Sequence, residues 1–175
     1  MARKTYMTVE TTLIPNTVCF SFQSNVDVEN GAIVGKGDLV TGEDSIYTAL
    51  DDYSDGMYLV ANPAWSYDTS HITNQNEENF INEAGIPYRV YKLVKDDKYK
   101  IGNTSAELEE GNFVEFKDGA YVKSESATKL KVVKIEEVGF PYYIGQYGSL
   151  VTGDNDNEYG NSVDAKVKKY TIEVQ

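Results

Sequence analysis

The chain contains 175 residues with 28 acidic and 16 basic side chains, which gives a formal net charge of −12 at pH 7. Such a surface repels phosphate, which argues against direct binding of nucleic acid or of an anionic membrane. The length and a hydrophobic share of 41% suit one domain with a buried core, and we expect neither a secretion signal nor a membrane span.

The N-terminal segment alternates apolar and polar side chains, as a β-strand does. Met7, Val9 and Leu13 share one parity, and after a proline the alternation resumes over residues 18–22. We therefore interpret residues 1–24 as an extended arm or as the first two strands of a sheet. Both interpretations stay open at this point.

The next region combines a tight turn with an apolar strand. Asn30–Gly31 lies between two apolar stretches and readily takes the positive φ angles of a type I′ turn. This turn predicts a hairpin that pairs Val28 with Ile33. Residues 57–61 form a continuous apolar run that an Asn-Pro pair closes, which predicts a buried strand.

One segment has the signals of a short helix, and we predict an α-helix from Asn74 to Ala84. Asn74 can cap the first turn, and Glu77 completes an arrangement like a capping box. Gly85 suits the position after the last turn, and Pro87 prevents continuation. The narrow apolar stripe consists of Phe80, Ile81 and Ala84.

Strands and two-residue turns alternate after the predicted helix. Residues 88–94 have the pattern of a strand, and Asp96–Asp97 marks a turn. Asp118–Gly119 predicts a second tight hairpin, in which Phe116 lies opposite Tyr121.

The end of the chain completes a mostly β pattern, with its richest strand at residues 130–138. In the last strand the apolar parity changes, which predicts a β-bulge near Lys168–Lys169 or burial on both faces. The two apolar sets are Val163, Ala165 and Val167, then Tyr170, Ile172 and Val174. We predict a mostly β, barrel-like or sandwich-like fold of about nine short strands with one short α-helix. Residues 25–175 would form a single β-rich domain.

The residues offer little for catalysis. His71 is the only histidine and lies in a polar stretch without a nucleophile motif. Gly35-Lys36-Gly37 matches no phosphate-binding loop. The adjacent carboxylates Asp51-Asp52 and Glu136-Glu137 point to opposite faces if they lie on strands. We therefore predict no catalytic residues and no enzymatic activity.

Metal and cofactor sites are not expected either. Cys19 is the only cysteine, so an intrachain disulfide and a thiolate zinc site are excluded. Asp154, Asp156 and Glu158 resemble the start of a calcium-binding EF-hand loop, but Tyr159 stands where that loop requires glycine.

Several segments together resemble the small head-decoration, or cement, proteins of long-tailed bacteriophages that infect Gram-positive bacteria. The similarity covers roughly residues 25–138. The segments that carry it are Val28–Val34, Gly37–Val40 followed by Tyr47, Tyr58–Pro63, Phe80–Pro87 with Arg89, and Leu93 followed by Asp97–Ile101.

The resemblance implies a structural virion protein that is made in the host cytoplasm and binds the exterior of an assembled capsid. Its partners would be the major capsid protein and other copies of itself, for example in a trimer. It implies no catalytic residue, metal or cofactor.

In this setting, Met7, Val9 and Leu13 are the candidates for capsid contact. An extended segment can add to an exposed sheet edge, where its backbone supplies hydrogen bonds and alternate side chains supply fit. The alternative to a capsid-binding arm is that the segment is the first strand of its own domain's sheet.

A carbohydrate-binding or receptor-binding β module of a phage tail or fibre is the alternative function, and a hydrolase on a β scaffold is a more distant one. A binding module of this kind needs exposed aromatic side chains around a groove. The candidates for that role are Trp65, Tyr67, Tyr142, Tyr143 and Tyr147.

Overall fold

The computed structural model describes residues 9–15, 18–64, 80–102, 104, 107–139 and 166–175. Within these ranges the chain forms twelve β-strands and no helix, so none of it is a helix able to cross a membrane. The mostly β prediction is confirmed, and the strands outnumber the expected nine. They are β1 (Cys19–Gln23), β2 (Val28–Glu29), β3 (Ile33–Leu39), β4 (Ile46–Leu50), β5 (Tyr58–Val60), β6 (Ile81–Asn82), β7 (Tyr88–Lys92), β8 (Lys98–Ile101), β9 (Phe113–Lys117), β10 (Ala120–Lys123), β11 (Leu130–Gly139) and β12 (Lys166–Val174).

Five strands close into a small barrel in the order β1-β4-β3-β5-β7. β1 closes it, because this strand pairs in parallel with β4 and antiparallel with β7. Alternate side chains of the barrel strands pack together in a core of their own, as the twofold period of a strand requires. This barrel core consists of Phe22, Ala32, Val34, Tyr58, Val60, Tyr88 and Val90.

The other large element is a five-stranded antiparallel sheet in the order β10-β9-β11-β12-β8. Its β9–β10 hairpin is the one that the sequence predicts, with Phe116 opposite Tyr121. Asp118 and Gly119 both have positive φ, 51° and 79°, as a type I′ turn requires.

A second, larger core lies between the barrel and the five-stranded sheet. Ile33 and Leu59 reach it from the barrel strands, while Val34 and Tyr58 point into the barrel. Because strand side chains alternate between faces, β5 is buried on both sides, and all three of its residues are buried. This double burial confirms the prediction of a buried strand within residues 57–61.

The Asn30–Gly31 turn forms, but the predicted hairpin is wrong. Ala32 donates its backbone N–H to Glu29 O across 3.3 Å, and only Gly31 of the two turn residues has a positive φ, at 89°. A type I′ turn needs positive φ at both positions, so this turn is not of the type that joins the two strands of a tight hairpin. Strand β2 therefore pairs with β6, and β3 pairs with β4 and β5.

The predicted helix is wrong over its C-terminal part, where Ile81–Asn82 is strand β6 and Gly85 belongs to a turn. Residues 74–79 lie outside the described residues. The apolar stripe of the proposed helix is narrow, whereas the extended backbone lets the Asn82 amide donate to Val28 O across 2.9 Å. Pairing with a distant strand outweighs the local helix signals here.

The irregularity predicted near Lys168–Lys169 lies elsewhere. The register between β11 and β12 is continuous from Lys166 to Thr171 and shifts between Val132 and Lys134, on the partner strand. Tyr170, Thr171 and Ile172 are all buried, so burial on both faces accounts for this part of the apolar pattern.

Residues 9–15 attach to the five-stranded sheet of their own chain. Glu10 and Lys100 exchange two backbone hydrogen bonds of 3.0 Å at the outer edge of β8, and Ile14 is buried in the larger core. The Glu10 carboxylate also forms ion pairs with Lys100, at 3.6 Å, and with Lys169. Of the rest of residues 1–24, residues 1–8 and 16–17 lie outside the described residues, and Cys19–Gln23 is barrel strand β1.

The ion pairs of Glu136 on β11 with Lys100 and Lys134 predict that the protein loses stability in acid. Hydrogen bonds from Lys100 and then Lys134 lower the pKa of Glu136 from 4.5 to about 2. A carboxylate with a depressed folded-state pKa stabilises the fold above its unfolded-state pKa and loses this effect as pH falls through the folded-state value. The free energy of unfolding should therefore fall between about pH 4.5 and about pH 2.

Denaturant unfolding across this pH range checks the prediction. Glu136→Gln should flatten the pH profile, and the exposed Glu125→Gln, outside these ion pairs, should leave it unchanged. Parallel profiles for wild type and Glu136→Gln would contradict the assignment.

Candidate functional site

The structure separates the three candidates for capsid contact. Val9 is half-buried and packs against the larger core of its own chain. Leu13 remains 44% exposed, and Met7 lies outside the described residues. Of the two candidates that the structure describes, Leu13 is therefore the one exposed to solvent.

Three asparagine side chains connect distant parts of the chain at one point, which we call the asparagine cluster (Asn30, Asn62 and Asn82). The Asn30 amide donates to Asn62 O across 2.8 Å and its Oδ1 accepts from the Asn62 backbone N–H across 3.0 Å. Asn82 donates to the same Oδ1 across 3.1 Å. Asn30 and Asn82 are buried, and hydrogen bonds compensate for the lost hydration of the Asn30 side chain and of the Asn82 amide nitrogen, while Asn82 Oδ1 has no partner among the described residues.

The asparagine cluster joins segments that the resemblance to decoration proteins also singles out. Asn30 lies in Val28–Val34, Asn62 in Tyr58–Pro63, and Asn82 in Phe80–Pro87. Arg89 adds a fourth contact, since its backbone N–H donates to Asn62 Oδ1 across 3.4 Å. Segments far apart in sequence thus form one unit in space.

A buried tyrosine pair connects this unit to the five-stranded sheet. The Tyr121 hydroxyl donates to Gly31 O across 2.8 Å and lies 3.2 Å from the Tyr99 hydroxyl. Burial raises the pKa of both tyrosines well above 10, so both hydroxyls stay protonated at neutral pH.

A groove of about 680 Å³ opens where the barrel meets the five-stranded sheet, and we call it the junction groove. One wall comes from the region of β2 and β3, and the other from the β9–β10 hairpin. The hydrogen bond between Tyr121 and Gly31 fixes the spacing of these walls. Each of the two residues is next in sequence to a lining alanine, Gly31 to Ala32 and Tyr121 to Ala120. The lining residues are Val26, Asp27, Val28, Glu29, Ala32, Ile33, Val34, Asp51, Phe116, Lys117, Asp118, Gly119 and Ala120.

Carboxylates dominate the charge of the junction groove. Asp27, Glu29, Asp51 and Asp118 line it against one basic residue, Lys117. These positions come from three separate stretches of the chain, so the sequence alone does not indicate that they share a site.

An aromatic group packs against the barrel core. The Phe20 ring forms T-shaped contacts with Tyr47 and Tyr58 at centroid distances of 6.2 and 5.6 Å. The Lys36 ammonium stands 3.7 Å from the Tyr47 ring centroid and 5.1 Å from that of Phe20. Such a position is a cation–π contact, and the lysine covers the ring face that an external cation or sugar would use.

The glycines beside Lys36 have a packing role. A Cβ atom at Gly35 would lie 1.9 Å from Asp52 O, and one at Gly37 would lie 2.2 Å from Thr48 Oγ1. Only glycine allows neighbouring strands and loops to approach β3 this closely.

Several predicted features lie outside the described residues: His71, the aromatic candidates Trp65, Tyr67, Tyr142, Tyr143 and Tyr147, and the acidic segment 153–160. Across the ranges that the structure describes, no group of three His, Cys, Asp or Glu side chains is arranged to hold a metal ion.

No protein-family model, curated protein or solved structure matches this chain. The resemblance to phage decoration proteins therefore stays a prediction from the sequence.

Removal of the central amide should reveal how much the asparagine cluster stabilises the fold. Asn30→Ala leaves the backbone N–H and C=O of Asn62 without their side-chain partners, so the free energy of unfolding should fall by about 1–3 kcal/mol. The exposed Asn25→Ala should change it by less than about 0.5 kcal/mol. Chemical denaturation of both variants gives the comparison, and equal effects would mean that the cluster contributes little.

Proposed function

We propose that this chain is a structural virion protein that binds the outer surface of an assembled phage capsid and stabilises it. The observation that carries the proposal is that three of the five resemblance segments meet at the asparagine cluster. A chance resemblance of scattered motifs would not be expected to join them in one hydrogen-bonded unit.

The architecture suits a protein that acts by adhesion. The larger core lies between the barrel and the five-stranded sheet and holds them in one body. A capsid contact made by one of these two elements therefore also holds the other in place. The net charge of −12 keeps copies soluble at high concentration and repels DNA. Many modest contacts repeated over a shell can together resist its opening.

We further propose that the N-terminal segment contributes to capsid binding through Leu13. This side chain is 44% exposed, and its neighbour Ile14 anchors the segment in the core. An apolar side chain on an anchored segment loses little conformational freedom when a partner covers it.

Co-sedimentation with capsids tests the proposal. Purified protein should pellet saturably with capsids assembled from the major capsid protein of the same phage, and decorated capsids should open at a higher temperature than bare ones. Leu13→Asp should weaken binding by roughly tenfold, because a buried charge replaces an apolar contact. Leu39→Asp is the matched control, since Leu39 is 47% exposed on barrel strand β3 and should bind as wild type does.

The same preparation separates the two candidate functions. Absence of pelleting together with binding on a glycan array would favour the carbohydrate-binding or receptor-binding module. Pelleting without any change in the opening temperature would contradict the stabilising role. Equal weakening by Leu13→Asp and Leu39→Asp would contradict the assignment of Leu13.

A further inference from the structure

The junction groove combines apolar surface with an acidic rim. Val26 lines it and is 63% exposed, the largest exposure among the large hydrophobic side chains that the structure describes. Half-buried Phe116 adds an aromatic surface and packs against the ring of Tyr121 with centroids 5.3 Å apart. An exposed apolar surface rimmed by polar groups is typical of an interaction site.

The rim selects the sign of the partner's charge. Three of its acidic side chains, Asp27, Asp51 and Asp118, are exposed, and Lys117 is the basic residue beside them. A phosphate, a nucleic acid or an acidic peptide would meet like charge across the opening. A cationic group could approach the rim while an attached apolar group covers Val26 and Phe116.

Hydrogen bonds within the chain hold both walls of the junction groove in place. Tyr121 joins its two walls through the hydrogen bond to Gly31, and Tyr53 donates its hydroxyl to Phe116 O across 3.0 Å. The side chain of Asp27 accepts from the Ala84 backbone N–H across 3.0 Å, which holds the outer rim. A preformed groove needs little ordering on binding.

We propose that the junction groove binds an extended polypeptide segment in which basic side chains flank apolar ones. The apolar side chains would cover Val26 and Phe116, and the basic ones would face Asp51 and Asp118. Alternation of this kind is natural to an extended chain, whose successive side chains point in opposite directions. The inference is independent of capsid binding, since it depends only on the groove.

Titration with short capped peptides tests the inference without any capsid. A peptide of alternating lysine and valine should bind and should displace water from Val26 and Phe116, whereas one of alternating glutamate and valine should not bind. The double variant Asp51→Asn/Asp118→Asn should lower the affinity by about two- to fivefold per charge removed, as for exposed ion pairs. Asparagine also tolerates the positive φ of position 118, so the β9–β10 turn is retained.

A charge-matched control separates the groove from the general attraction of an acidic protein. Glu43→Gln/Glu125→Gln removes two exposed carboxylates outside the groove and should leave the affinity unchanged. Val26→Ser should also weaken binding relative to wild type, without altering the net charge. Thermal melts check that every variant is folded. Equal losses in the two double variants, no binding of the lysine peptide, or equal binding of both peptides would overturn the inference.

Discussion

The hydroxyl of Tyr121 donates a hydrogen bond of 2.8 Å to the carbonyl of Gly31, in the interior of the protein. This bond joins the five-stranded sheet to the turn that begins barrel strand β3, and Tyr99 supports it from the opposite edge of that sheet. A buried carbonyl without a partner is costly, so the turn and the hairpin that carries Tyr121 stabilise each other. Burial keeps both tyrosine hydroxyls protonated and therefore able to donate.

The position of this bond connects the features that we associate with function. Asn30, the residue before Gly31, holds the asparagine cluster, and Ala32, the residue after it, lines the junction groove. A single turn thus links the barrel, the sheet and the groove. Loosening this turn would therefore disturb both the asparagine cluster and the junction groove.

Local signals in the sequence were sufficient where short-range geometry decides the structure. Asp118–Gly119 specified its hairpin, because two positive φ angles fix the strands on either side. The apolar run around Leu59 predicted a buried strand correctly, since burial on both faces leaves no polar alternation. Those signals failed at Asn30–Gly31 and at Ile81–Asn82, where pairing with strands far away in sequence decides the outcome. The junction groove could not be predicted, because its walls meet only in the folded chain.

In addition to the larger core, the Tyr121 hydroxyl fastens the barrel to the five-stranded sheet. Tyr121→Phe removes that hydroxyl, and the half-buried Tyr91→Phe makes the same chemical change on β7, where the structure records no hydroxyl hydrogen bond among the described residues. Equilibrium denaturation should show one transition for both variants, with Tyr121→Phe less stable than Tyr91→Phe by about 1–3 kcal/mol. Stabilities equal within about 0.5 kcal/mol would contradict the claim.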